Sequence, residues 1–127
     1  MGSPHTQERQ GQLHSFAVAF AGIGRAIGSE LHMKVHVCMA VLALAACALL
    51  RVTAVGWCLV ILCIGAVLAA ELFNTALEAL CDKVSADYDP LIKTAKDAAA
   101  GAVLVLAIVS VAVGLIVFVP AALRLLG

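Results

Sequence analysis

The sequence predicts an all-α membrane protein, an amphipathic surface helix followed by three transmembrane helices, and three observations carry that expectation. Of 127 residues, 64% are hydrophobic and 13% charged, whereas a soluble domain averages roughly 45–50% apolar and about 25% charged. Too little polar surface is present to face water. Three long stretches carry no formal charge, and a helical-period apolar stripe precedes them in a more polar segment. The length holds one domain and no more than three or four spans of about 20 residues each, which excludes receptor ectodomains and soluble enzymes. Eight Lys plus Arg balance eight Asp plus Glu, so no basic excess argues for nucleic acid.

The first twelve residues, MGSPHTQERQGQ, are polar and unpatterned. They read as a disordered tail or tag remnant (1–12), with no secretory signal peptide, and residues 13–127 as a single membrane domain. Over 13–31, Phe16, Phe20, Ile23 and Ile27 recur at spacings of four, three and four, while His14, Arg25 and Glu30 fall elsewhere. That is the stripe of a helix lying on a membrane surface. Its GIGRAIG stretch (Gly22, Gly24, Gly28) looks superficially like a phosphate-binding glycine loop, but no strand precedes it and the spacing is wrong.

The first span is expected at about 32–50. Only 16 residues between Lys34 and Arg51 lack charge, so the helix must start near Glu30, with Lys34 reaching back to the interface. The second, at about 54–82, opens within 19 uncharged residues at 52–70, roughly 28 Å of helix against a hydrocarbon core of about 30 Å. A turn at 51–56 separates the two. The third, at about 94–123, contains 26 uncharged residues at 98–123, with Pro120 near the end. Cys38, Cys47, Cys58, Cys63 and Cys81 are odd in number, form no CxxC pair and lie in or beside apolar stretches, so they read as packing residues. Arg9, Arg25 and Lys34 precede the first span, and Lys83, Lys93 and Lys96 lie between the second and third. Only Arg51 and Arg124 fall on the other side, which puts the N-terminus and the 81–97 loop in the cytoplasm.

The second helix stays helical where it ceases to be apolar, because AELFNTALEALCDKVS contains neither Pro nor Gly. Glu71, Asn74, Glu78 and Asp82 are spaced three, four and four, a polar strip about 80° wide on one helix face. Simple emergence into water explains Asp82 well and Glu78 adequately. It explains Glu71 poorly, because Glu71 abuts the uncharged run, and an ionisable group at membrane depth costs about 2.5 kcal/mol or more. A column of like charges also repels itself unless a cation sits in it. Glu78 lies roughly 10 Å nearer the cytoplasm than Glu71. The deeper carboxylate suits a lipid headgroup and the shallower one a hydrated metal. Glu30 stands at a similar level and could complete an oxygen-ligand set for Mg²⁺, which takes one or two carboxylates plus substrate phosphates. Lys96 and Asp97 add a cation and another carboxylate at the same membrane face. Phosphoryl transfer needs a metal, a cation and a base of this kind, although no GxxxxGK[ST] loop or protein-kinase signature is present.

The run ELFNTALEALCD, followed by DYDPLIKTAKDAAAGAVLV, closely resembles the small bacterial integral-membrane lipid kinases, the diacylglycerol kinase and undecaprenol kinase family. Glu71, Asn74, Thr75, Glu78 and Asp82 match its E-x-x-N-[ST]-A-x-E-x-x-x-D segment, Lys96 and Asp97 match its A-K-D segment, and SELHMKVH supplies a third element with Glu30 at the acidic position. The resemblance covers about residues 13–120. It implies an ATP-dependent, Mg²⁺-requiring kinase of the bacterial inner membrane, working as a homotrimer of chains with three transmembrane helices and a surface helix. It further implies Glu71 as general base on the lipid hydroxyl and Glu30 with Glu78 as Mg²⁺ ligands. The same two glutamates, with Asn74, Asp82, Tyr88, Lys96 and Asp97, would bind the nucleotide, and Asp87 and Asp89 would lie in the nearby loop. Two positions depart from the pattern: Asp89 stands where many members have His before Pro90, and His32 where Asn is common in the undecaprenol branch.

SELHMKVH and GLIVFVP look more like the undecaprenol kinases than the diacylglycerol kinases, so undecaprenol is the expected acceptor and diacylglycerol the alternative. An ion- or proton-translocating subunit built on Glu71 would want its carboxylate near mid-bilayer and has no need of Asn74, Glu78 and Lys96 at one interface. A non-catalytic assembly module would account for the small residues Ala95 and 98–102 alone. Three helices of one chain are also expected to leave the Glu71 strip facing lipid until neighbouring chains bury it.

Overall fold

The computed structural model describes residues 4–85 and 87–127. They form four helices, α1 (Pro4–Ser29), α2 (Leu31–Leu49), α3 (Ala54–Val84) and α4 (Pro90–Leu126), with no strand among the described residues. The order and number are those expected, and the last three helices are each long and apolar enough to cross a membrane.

The boundaries carry the corrections. α1 begins at Pro4 and not at 13, so residues 4–12 of the expected tail are helical, and residues 1–3 lie outside the described residues. Proline at the first helical position loses no bond. Gln7, Glu8, Arg9 and Gln10 are good helix formers that extend a helix already nucleated downstream. GIGRAIG is helical throughout. α1 and α2 are separated by Glu30 alone, an extended residue at φ −94 and ψ 125. Just before it, the Ser29 hydroxyl donates back to the Arg25 carbonyl at 3.0 Å, a local bond that competes with the helix ladder.

The α2–α3 turn is shorter than expected. Thr53 caps α3, its Oγ1 accepting the Gly56 amide at 3.3 Å, which places Gly56 inside the first helical turn. A Cβ on Gly56 would overlap Val52 Cγ1 of the turn itself and lie 3.1 Å from Val117 Cγ1 of α4, so glycine is favoured there chiefly by the turn folding back on the helix start and secondly by the approach of α4. Arg51 takes the left-handed conformation at φ 49. On the opposite side, Asp89 Oδ1 accepts from the amides of Leu91 at 2.7 Å and Ile92 at 3.2 Å, with Pro90 opening α4. Pro120 does not end that helix, which runs on to Leu126.

α3 packs against both α2 and α4, and α1 touches α2 and α3. A core of Cys47, Val52, Val60 and Ala121, supported by Trp57 and Phe118, closes the end that holds the α2–α3 turn. All five cysteines are free; Cys47 and Cys81 are buried as packing residues should be, Cys63 is half-buried, and Cys38 and Cys58 are exposed, so the packing reading does not hold for those two within one chain. Elsewhere the helices show apolar side chains outward, among them Leu62, Leu104, Ile108 and Ile116. Only 11%, 22% and 6% of the apolar windows of α2, α3 and α4 are buried. That much bare hydrocarbon is stable in a bilayer and not in water, so this is a membrane protein.

Candidate functional site at the loop end of the bundle

The polar strip of α3 starts in the interior. Glu71 is 3% exposed and Asn74 7%, Glu78 is half-buried and Asp82 exposed. The strip therefore rises from the packed interior into the open over three helical turns. The expectation that Glu71 would face lipid until neighbouring chains cover it is overturned, because one chain already buries it. At the break at Glu30 the chain starts a new helix, and the first turn of α2 lies beside α3. From that turn His32 brings Nδ1 to 3.9 Å from Glu71 Oε1. Met33, the next residue, is 1% exposed and anchors the turn. The amide hydrogens of this turn also give it partial positive character, favourable to a carboxylate. Glu30 itself does not cap α2, and its Oε1 accepts from the Ser29 hydroxyl at 3.3 Å.

Asn74 Oδ1 is buried without a hydrogen-bond partner. Such an orphan costs about 1–3 kcal/mol, and here it is an oxygen acceptor on the same face as three carboxylates. Among the described residues no three His, Cys, Asp or Glu side chains converge to form a metal cage. An all-oxygen set that leaves most positions to water and phosphate is what Mg²⁺ accepts, so the residues fit that ion as an accompaniment to a phosphorylated substrate.

Nearer the loop a cleft of about 610 Å³ opens between the end of α3 and the start of α4, lined by Asp82, Asp87, Tyr88, Lys93, Lys96 and Asp97, with Ser85, Asp89 and Ile92. Lys96 is paired with Asp82 across the two helices, and Lys93 with Asp97 along α4. Both pairs lie open to solvent, where screening leaves an ion pair little effect on stability, and their ammonium groups can be re-used for a ligand. The hydrogen bond to Asp82 holds the Lys96 ammonium above the usual lysine range, and the charge of Glu78 adds a lesser share in the same direction. The cleft walls hold four aspartates against two lysines, so a polyphosphate would be repelled there unless a divalent cation came with it.

The structure thus assembles the sequence candidates in two groups, Glu71 and Asn74 inside and Asp82, Tyr88, Lys96 and Asp97 around the cleft, with Glu78 on the strip between them. Asp89 lines the cleft but spends its carboxylate capping α4. Lys93, Ser85 and Ile92 escaped the sequence reading as site residues. The four-residue spacing of Lys93 and Asp97 was the available signal for the first, and nothing in the pattern marked the other two. His32 beside Glu71 is a contact no spacing rule could supply.

The profile of the family described as prokaryotic diacylglycerol kinase matches residues 17–118. The chain is 36% identical over 116 residues to the undecaprenol kinase of Bacillus subtilis, covering 91% of this chain and 94% of that one. It is 38% identical over 115 residues to a diacylglycerol kinase of Synechocystis sp., covering 90% of this chain and 66% of the relative. The matched region takes in Glu30, the whole α3 strip and the cleft. A kinase family implies ATP as phosphoryl donor, and a lipid kinase family implies a lipid acceptor at the membrane. On these grounds the chain belongs to the prokaryotic diacylglycerol kinase family and is an enzyme of the lipid kinase class.

Proposed function

We propose that this chain phosphorylates the primary hydroxyl of undecaprenol, using ATP and Mg²⁺, at the cytoplasmic face of a bacterial inner membrane. The observation that carries this reading is the buried Glu71 at the inner end of a polar strip that opens into a cleft. A lipid hydroxyl cannot leave the interface, and a nucleotide cannot enter the hydrocarbon. The two must meet along α3, between Glu71 and the cleft.

In this reading the acceptor oxygen attacks the γ-phosphorus in line, its proton passes to the Glu71 carboxylate, and the bond to the bridging oxygen breaks with its electron pair leaving on ADP. Lys96 and Asp97 hold the nucleotide from the start of α4, Tyr88 and Asp82 flank it, and Asn74 offers its unpartnered oxygen to whatever enters. Glu30 and Glu78 would hold Mg²⁺, which would supply positive charge to offset that of the phosphates. The basic-residue asymmetry supports a cytoplasmic position for this end of the bundle. Phe16 and Phe20 of α1 are exposed and make no part of the core, which supports α1 as a helix lying in the interface with its apolar stripe in lipid.

Diacylglycerol is the second reading, favoured by the comparable identity of the Synechocystis relative. Both acceptors present a primary hydroxyl on an apolar body. Offered together in mixed micelles with radiolabelled ATP, undecaprenol is expected to take most of the label, and dominant labelling of diacylglycerol would reverse the choice. An ion-translocating subunit loses ground, because the polar groups gather at one end of α3 and not around a mid-bilayer carboxylate.

A homotrimer follows from the resemblance and is supported by α4, whose Ala98 and Ala102 stand exposed one turn apart, small residues of the kind that let membrane helices pack closely. Cross-linking in mild detergent is expected to give a ladder ending at three chains. A monomer with full activity would contradict it.

A further inference from the structure

Resting on the proposed role of Glu71, the geometry points to His32 as a positioning residue that holds the Glu71 carboxylate in the orientation needed to meet the acceptor hydroxyl. Nδ1 of His32 lies 3.9 Å from Glu71 Oε1, and the two side chains differ sharply in setting, 80% exposed for the histidine and 4% for the glutamate. The root of the histidine is fixed, since it follows the break at Glu30 and precedes the buried Met33. Its ring is free to turn.

A carboxylate has two equivalent oxygens, and a base is effective only when the correct one faces the hydroxyl. In the tautomer with hydrogen on Nδ1, the ring can donate to Oε1 and leave Oε2 for the incoming proton. The present separation is longer than a hydrogen bond. Rotation of an exposed ring closes it at little cost, and catalytic contacts often tighten only once substrate is bound. The strip's other carboxylates, Glu78 and Asp82, and the junction residue Glu30 are acceptors when ionised and cannot hold a second carboxylate. Because the ring is mostly exposed, it contributes little packing, so its removal separates positioning from folding.

The test measures kcat and KM for His32→Ala and His32→Asn, each alone and combined with Glu71→Gln, with thermal stability followed in parallel. His32→Ala is expected to lower kcat about tenfold, the scale of one lost hydrogen bond to a charged group, with little change in KM for ATP or in melting temperature. His32→Asn, whose Nδ2 stands close to the position of Nδ1, should recover most of that loss. In the Glu71→Gln background His32→Ala should add nothing, since the carboxylate it orients is gone. An unchanged kcat in His32→Ala, an equal loss in the Glu71→Gln background, or no recovery with His32→Asn would each overturn the inference. If Glu71→Gln alone keeps full turnover, the failure lies in the proposed role of Glu71 instead.

Discussion

Replacing Glu71 by glutamine is expected to lower turnover by about 10²- to 10⁴-fold, the usual contribution of a positioned base, while leaving ATP affinity almost unchanged. The amide keeps the shape of the side chain, so the packing around a residue 3% exposed survives. What is lost is the proton acceptor for the lipid hydroxyl. The proposed nucleotide contacts of Lys96, Asp97, Tyr88 and Asp82 line the cleft, and Glu71 does not. The measurement is kcat against lipid alcohol together with equilibrium ATP binding on the same preparation. Near-normal turnover, or a loss explained wholly by weaker ATP binding, would remove Glu71 as the base and leave it a structural or nucleotide-contacting residue.

The second large effect concerns Mg²⁺. Glu30→Gln and Glu78→Gln are each expected to raise the Mg²⁺ concentration for half-maximal activity by about tenfold or more, because a cation held by one or two carboxylates and phosphates loses a principal ligand. Neither substitution should disturb the fold. Glu78 is half-buried on the open part of the strip, and Glu30 caps nothing with its side chain. The cleft's excess of aspartate over lysine makes the dependence steep, since the nucleotide cannot approach without the cation. Unchanged Mg²⁺ titration curves in both variants would exclude them as ligands.

Much of this architecture was legible in the sequence, and the reasons are physical. Uncharged runs of span length have only one stable solution in a bilayer, a helix with all backbone bonds satisfied internally. The spans therefore emerged at their observed places, and the α3 strip followed from a continuous helix and its 3.6-residue period. The misreadings fell where local rules give no sign. Residues 4–12 show no apolar pattern, yet nothing in them opposes helix extension. Gly56 reads as a turn residue in isolation, but the Thr53 cap starts α3 at Ala54 and puts Gly56 inside its first turn. The burial of Glu71 within one chain was likewise invisible, because it depends on how the break at Glu30 sets α2 against α3. His32 faces Glu71 across 39 positions of sequence, a distance no periodicity spans. The cleft at 82–97 was half legible, its paired motifs being distinctive while Ser85 and Ile92 carry no signal of their own.

The central claim, that the strip and the cleft together move a phosphoryl group from nucleotide to membrane alcohol, is tested most directly by following the γ-phosphate. Purified chain in detergent–lipid micelles, given γ-labelled ATP and Mg²⁺, is expected to deposit label in the organic extract as a phosphorylated lipid, in proportion to added undecaprenol and only when Mg²⁺ is present. Label released as inorganic phosphate at a rate indifferent to added lipid alcohol would contradict the account.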